Sequence, residues 1–181
     1  SLLCVGLDPH PESLSKYTPE VARDFCVKII NACSPHVCAF KPNIAFFEAL
    51  GSEGIKALQD VIAAVPDEIP VILDAKRGDI ASTTTAYRQA VFDTLGAHAV
   101  TASPYLGRDA LTPFLERPEQ GVFVLCKTSN PGADDLQSLR VNGEPLYLHV
   151  ARQANTWSEH NNLGLVIGAT DTQALEKVRH A

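Results

Sequence analysis

Val71-Ile72-Leu73-Asp74-Ala75-Lys76-Arg77-Gly78-Asp79-Ile80 joins an apolar triplet to a carboxylate, an ammonium and a second carboxylate, spaced D-x-K-x-x-D. The triplet suits a buried strand. Side chains alternate along a strand, so Asp74 and Lys76 are expected on one face, at or just past its end. Gly78 is expected to let the backbone turn and to set Asp79 in the following loop. Charges at the end of an apolar strand are costly to desolvate unless they pair. Such a strand end is a candidate active site.

The same grammar recurs on either side. Strands are expected at Leu2–Leu7, Val37–Phe40, Val71–Leu73, Ala99–Thr101, Val122–Cys126 and Leu163–Ile167. Between them run helical stripes. Thr18-Pro19-Glu20 reads as an N-cap with Pro in the first turn, followed by Val21, Phe25 and Ile29 at i, i+4 and i+8. Ile55, Leu58, Ile62 and Val65 form the next stripe, then Tyr87, Val91 and Leu95, closed by Gly96 as a C′ residue. Leu111, Phe114 and Leu115 follow, then Leu146, Val150, Ala154 and Trp157, and finally Leu175 and Val178 behind the cap-like Thr170-Asp171.

Strict βα alternation with near-continuous apolar strands argues for a parallel sheet covered by helices, an α/β fold. The unusual polar residues follow the strands, while the returns from helix to strand are plain. That asymmetry suits a (β/α)8 TIM barrel, whose chemistry sits at the C-terminal ends of its strands. Six strands are visible, whereas a full barrel takes about 250 residues. The alternatives are an open doubly wound sheet, or a barrel whose last two βα units are absent from the sequence. On the barrel reading, residues 1–181 are one domain, incomplete at its C-terminus. The polar stretch Asn130–Asn142 reads as a mobile loop.

With 181 residues, 45% hydrophobic and 20% charged, the chain can bury a real core. A net charge of −6 gives no support for a nucleic-acid or anionic-membrane partner. No apolar run approaches the ~20 residues of a membrane helix. The five cysteines are odd in number and sit mostly in apolar contexts. Cys33-x4-Cys38 lacks a second Cys/His pair at zinc-like spacing, so buried free thiols are expected, in a reducing, cytoplasmic setting.

Asp8 follows the first strand, Lys41 the second, Asp74, Lys76 and Asp79 the third, and Thr128-Ser129-Asn130 the fifth. In a parallel barrel these converge on one mouth. An ion pair at 4 Å is worth about 4 kcal/mol at an effective dielectric near 20. Lys76 between two carboxylates is thus expected to stay protonated despite burial, a poor base and a good proton donor. This suits stabilising and then protonating a developing negative charge. The same charges could instead close a barrel end as a salt-bridge network.

Asp74-Ala75-Lys76-Arg77-Gly78-Asp79-Ile80, with Lys41 one strand earlier and Asp8 at the end of the first strand, resembles orotidine 5′-monophosphate decarboxylase. Leu3–Pro9, Phe40-Lys41-Pro42-Asn43 and Lys127–Ala133 are similar to its longer bacterial-type branch. The resemblance implies conversion of orotidine 5′-monophosphate to UMP in pyrimidine synthesis, without metal or organic cofactor. It implies a charged tetrad of Lys41, Asp74, Lys76 and Asp79. Lys76 would stabilise and protonate the C6 carbanion, with Asp74 against the substrate carboxylate. Asp8 and Lys41 would hold ribose hydroxyls, Ser129 would meet the pyrimidine, and the Pro131–Gln137 loop would close over the ligand. Asp79 and Thr83 would reach across a homodimer interface. The family's phosphate grip follows the seventh and eighth strands, beyond Ala181, so weak nucleotide binding is expected of these 181 residues alone.

Two other readings share some of these features. Magnesium-dependent sugar-phosphate decarboxylases and aldolases of the same superfamily carry D-x-K-x-x-D, with a carboxylate where this chain has Lys41, and a cation there would repel the metal. A non-catalytic barrel fragment would keep the charges as scaffold only.

Overall fold

The structure, a computed structural model, describes residues 1–181. It divides into two compact units, Ser1–Ala75 with Arg88–Val100, and Lys76–Tyr87 with Thr101–Ala181.

In the first unit, β1 (Cys4–Leu7) leads to α1 (Pro19–Cys33), whose N-cap Thr18 accepts a hydrogen bond from the Val21 amide. β2 (Ala39–Pro42) runs parallel to β1, pairing Cys4 with Ala39 and Gly6 with Lys41. The strand starts two residues later than expected, because Ser34–His36 form a turn of 3-10 helix that takes up the approach. Lys41 therefore lies inside β2, not after it. α2 (Ala45–Glu48) and α3 (Gly51–Ala63) follow, and β3 (Ile72–Arg77) is tied to β2 by the parallel bridges Phe40–Val71 and Asn43–Asp74.

The core here is Leu7, Phe40, Phe47, Leu58, Val61 and Leu73, all fully buried. The inward stripe of α1 is Ala22, Cys26 and Ile30, one residue on from the expected Val21, Phe25 and Ile29, which are half-buried. Ala22 and Cys26 are small enough for this line to pack against α3, with Ile30 filling its end. Gly54 of α3 is crowded, since a Cβ there would stand 2.0 Å from the Phe47 carbonyl oxygen.

In the second unit, α4 (Ala81–Arg88) rises from the end of β3. The helix continues in the first unit as a π-turn, Gln89–Thr94, and stops at Gly96, whose φ of 75° makes it the expected C′ residue. β4 (Ala99–Ala102), α5 (Thr112–Leu115) and β5 (Gly121–Lys127) come next. β6 (Arg140–Val141) and β7 (Glu144–Pro145) pair antiparallel around Asn142 and Gly143, both at positive φ. That is the geometry a two-residue Asn-Gly hairpin requires.

The stretch read as a mobile loop is thus folded, since the hairpin and a 3-10 turn at Pro131–Asp135 satisfy its backbone. α6 (Leu146–Asn155), β8 (Leu163–Ile167) and α7 (Thr172–Arg179, capped by Asp171) complete the unit. β8 is parallel to β5, and Tyr147, Ala151, Ala174 and Cys126 form the cluster that seats α6 and α7.

All five cysteines are free, as read, but only Cys26 and Cys126 are buried; Cys4 and Cys38 are exposed. Cys38 precedes β2, and its amide donates to the Leu3 carbonyl. No helix is long and apolar enough to cross a membrane.

Candidate active site

In the first unit, Lys41 and Asp74 are brought together from two neighbouring strands. Pairing of Asn43 with Asp74 sets the register, and Lys41 Nζ donates to Asp74 Oδ2 at 3.1 Å. The Asp74 side chain is only 10% exposed and that of Lys41 34%, so the pair is partly shielded from water. Asp8 stands just past β1, with Oδ1 buried and without a hydrogen-bond partner. A buried carboxylate oxygen left without a donor invites one from a ligand. Gly6 makes room for this carboxylate, since a Cβ there would lie 2.9 Å from Asp8 Oδ2.

A concavity of about 770 Å³ in this unit lies elsewhere. It is lined by Asp60, Asp67, Asp93 and His98 among others, and contains none of the candidate residues. His98 is occupied structurally, its Nδ1 accepting from the Val71 amide.

In the second unit, Lys76 holds a φ of 46°, in the left-handed region. That region costs a side-chain-bearing residue about 1–2 kcal/mol. Thr101, itself 3% exposed, helps hold it there by accepting the Lys76 amide at 2.9 Å. Two expectations are corrected by this conformation. The period-2 alternation does not carry through Lys76, and the residue is exposed, not buried, because its left-handed backbone breaks the pleat near the end of β3. Gly78, expected to supply the turn, is needed instead for close approach, as a Cβ would meet the Ser103 carbonyl oxygen at 3.0 Å.

Asp79 opens α4. Its carboxylate accepts the Ile80 amide at 2.7 Å and its carbonyl accepts the Thr84 hydroxyl at 2.9 Å. Thr83 is half-buried one turn on. Arg77 lays its guanidinium 5.0 Å over the Tyr87 ring.

Ser129 is exposed after β5, and Gly168 crowds it, since a Cβ on Gly168 would be 2.9 Å from Ser129 Cβ. Two groups beside Ser129 were given no individual role by the sequence reading. Lys127, 6% exposed, bonds Asp134 Oδ1 at 2.6 Å, and Gln137 pairs with the Thr128 amide and hydroxyl, both at 2.8 Å. Lys127 had a legible signal, as another charge ending an apolar strand. The Lys127 ammonium and the Ser138 hydroxyl hold the Asp134 carboxyl below its usual range.

Chemically, the first unit offers a shielded carboxylate with its cation, and the second offers a conformationally constrained lysine and a hydroxyl on a pinned turn. The sequence profile described as "Orotidine 5′-phosphate decarboxylase / HUMPS family" matches residues 1–181. An orotidine 5′-phosphate decarboxylase of Roseiflexus sp. is 54% identical over 186 residues, covering all of this chain and 68% of that protein. The solved Leishmania donovani OMP decarboxylase is 53% identical with a TM-score of 0.94, covering 99% of this chain and 70% of that one. The Leishmania donovani UMP synthase superposes equally well, at 53% identity and TM-score 0.94 over 99% of this chain, but here only 40% of the neighbour is covered. The chain spans about two thirds of the curated relative's length, and its fold class is theirs, α/β of the (β/α)8 TIM-barrel type. Matched along its whole length by sequence and by fold, this chain belongs to the orotidine 5′-phosphate decarboxylase / HUMPS family.

Proposed function

We propose that residues 1–181 are part of one catalytic domain that decarboxylates orotidine 5′-monophosphate to UMP in pyrimidine biosynthesis, without a cofactor. The observation that carries the reading is the Lys41–Asp74 pair, a cation and a shielded carboxylate 3.1 Å apart on the strand that also bears Lys76. Asp74 lies against the substrate carboxylate and orders the charges around it. As CO2 leaves, negative charge develops at C6 of the pyrimidine. The Lys76 ammonium stabilises that charge, then delivers its proton to the same carbon. Asp8 accepts a ribose hydroxyl through its unpartnered oxygen, with Lys41 donating to another, and Ser129 meets the pyrimidine.

Asp79 and Thr83 serve the site of a second copy of the chain. Ile80, Tyr105 and Leu106, respectively 60%, 83% and 45% exposed, are in keeping with a surface covered in a homodimer. The free cysteines accord with a cytoplasmic enzyme.

Lys76→Ala tests the assignment. Decarboxylation should fall by at least about a thousandfold while the melting temperature holds, and should be indifferent to excess EDTA before the substitution. An active Lys76→Ala variant would refute the role of Lys76. Loss of activity in EDTA would favour the magnesium-dependent relatives.

A further inference from the structure

We propose that Lys127, through its ion pair with Asp134, is a positioning residue that sets the Ser129 turn. The inference rests on the function proposed above, in which Ser129 meets the pyrimidine.

β5 and β8 run in register up to Leu125–Val166, then shift by one residue, so that Lys127 pairs with Ile167 and Cys126 is the extra residue. Such a bulge re-aims the side chains that follow it. Cys126 and Lys127 are consequently both buried, where strict alternation would send one of them outward. The side chain of Lys127 is 7% exposed while that of its partner Asp134 is 74% exposed. The ammonium is therefore the member that needs the pair. Without Asp134 it keeps only the Ser138 hydroxyl at 3.4 Å and the Tyr147 ring, 6.0 Å from Nζ. A buried cation so poorly served favours the arrangement that brings the Pro131–Asp135 turn down onto it.

The same segment is fastened a second time. The Gln137 side chain takes both the amide and the hydroxyl of Thr128, and that hydroxyl donates to Asn130 Oδ1 at 2.6 Å. Lys127, Thr128 and Asn130 are thus all tied, and Ser129 is the residue they enclose. Gly168 closes the remaining side by backbone approach. Ser129 is held by its neighbours' bonds, and the Lys127–Asp134 pair is the buried anchor among them.

The test uses Asp134→Asn, Asp134→Glu, Ser129→Ala and the double variant Asp134→Asn/Ser129→Ala in the intact protein. Orotidine 5′-monophosphate kinetics and amide hydrogen exchange over residues 127–138 are followed together. Asp134→Asn should lower kcat/KM about tenfold, and by less than about twofold once Ser129 is already alanine, because both changes act through one contact. Asp134→Glu, which keeps the carboxylate, should stay within about threefold of the unsubstituted protein. Exchange at Thr128–Asn130 should rise about fivefold or more in Asp134→Asn, beyond any rise elsewhere in the protein, and the melting temperature should fall because the buried Lys127 ammonium loses its charged partner.

Full additivity of the two substitutions, or a loss undiminished by Asp134→Glu, would overturn the positioning role. So would unchanged exchange at Thr128–Asn130, whether or not the protein turns over substrate. Lack of decarboxylation by the unsubstituted protein would count against the proposed function instead, and exchange would then decide the inference by itself.

Discussion

Replacing Lys41 by Met removes the cation from a pair whose carboxylate is 10% exposed. At 3.1 Å, the direct attraction is about 5 kcal/mol for an effective dielectric near 20. Much of this is offset by the desolvation that brought the charges there. Orphaning one member of a fully buried pair costs about 3–5 kcal/mol, whereas exposed pairs contribute about 0–1. With Lys41 34% exposed, the expected loss falls between, at about 2 kcal/mol. For a chain of this size, that lowers the melting temperature by about 4–8 °C. The assay is a double-mutant cycle on thermal stability with Lys41→Met, Asp74→Asn and both together. The double variant should be more stable than the sum of the single losses implies, by about 1–2 kcal/mol, because neither charge is left alone. Strict additivity, or a Lys41→Met melting temperature within about 1 °C of the original, would show that the pair is a surface contact and refute the reasoning.

Burial pushes the Cys26 thiol up to about 12 and the Cys126 thiol up to about 11, so at pH 8 neither supplies thiolate. Exposed Cys38 should therefore alkylate with iodoacetamide first, followed by Cys4, whose thiol is raised by desolvation, with Cys26 and Cys126 protected until unfolding. Peptide mass spectrometry reads the order directly, and rapid native labelling of Cys26 would contradict it. Gly54→Ala drives a methyl to 2.0 Å from the Phe47 carbonyl oxygen and 2.6 Å from Leu50 Cβ, both on the tight α2–α3 junction. Relief requires the backbone to shift, so a loss of about 2–3 kcal/mol is expected in denaturant unfolding, despite alanine's better helix propensity.

Much of the scaffold was legible in the amino-acid pattern. Five of the six strands lie within two residues of their expected bounds, since long apolar runs between turn residues have few other fates, while β3 runs four residues past the expected Leu73. Thr18 and Asp171 cap the helices read behind them, and Gly96 takes the left-handed C′ conformation. Misplacements have local causes. The Ser34–His36 turn delayed β2, and the buried line of α1 lies one residue on, where Ala22 and Cys26 pack against α3. The Asn142-Gly143 hairpin carried a readable signal that the polar character of its neighbourhood masked.

The sequence by itself set Asp8, Asp79, Thr83 and Ser129 after strands and at a helix start, because alternation and turn chemistry are properties of neighbouring residues, whereas Lys41, Asp74 and Lys76, read at strand ends, lie within β2 and β3. Tertiary structure decided which of them meet and in what conformation. Strand register, fixed 33 residues away along the chain, set Lys41 on Asp74. A left-handed backbone at Lys76, met by Thr101 from another strand, ended the alternation that local reasoning assumes. One bulge at Cys126 turned Lys127 inward and gave the turn around Ser129 its anchor. Each depends on groups far apart in the chain, whose approach is set by packing and hydrogen-bond register rather than by the preferences of adjacent residues.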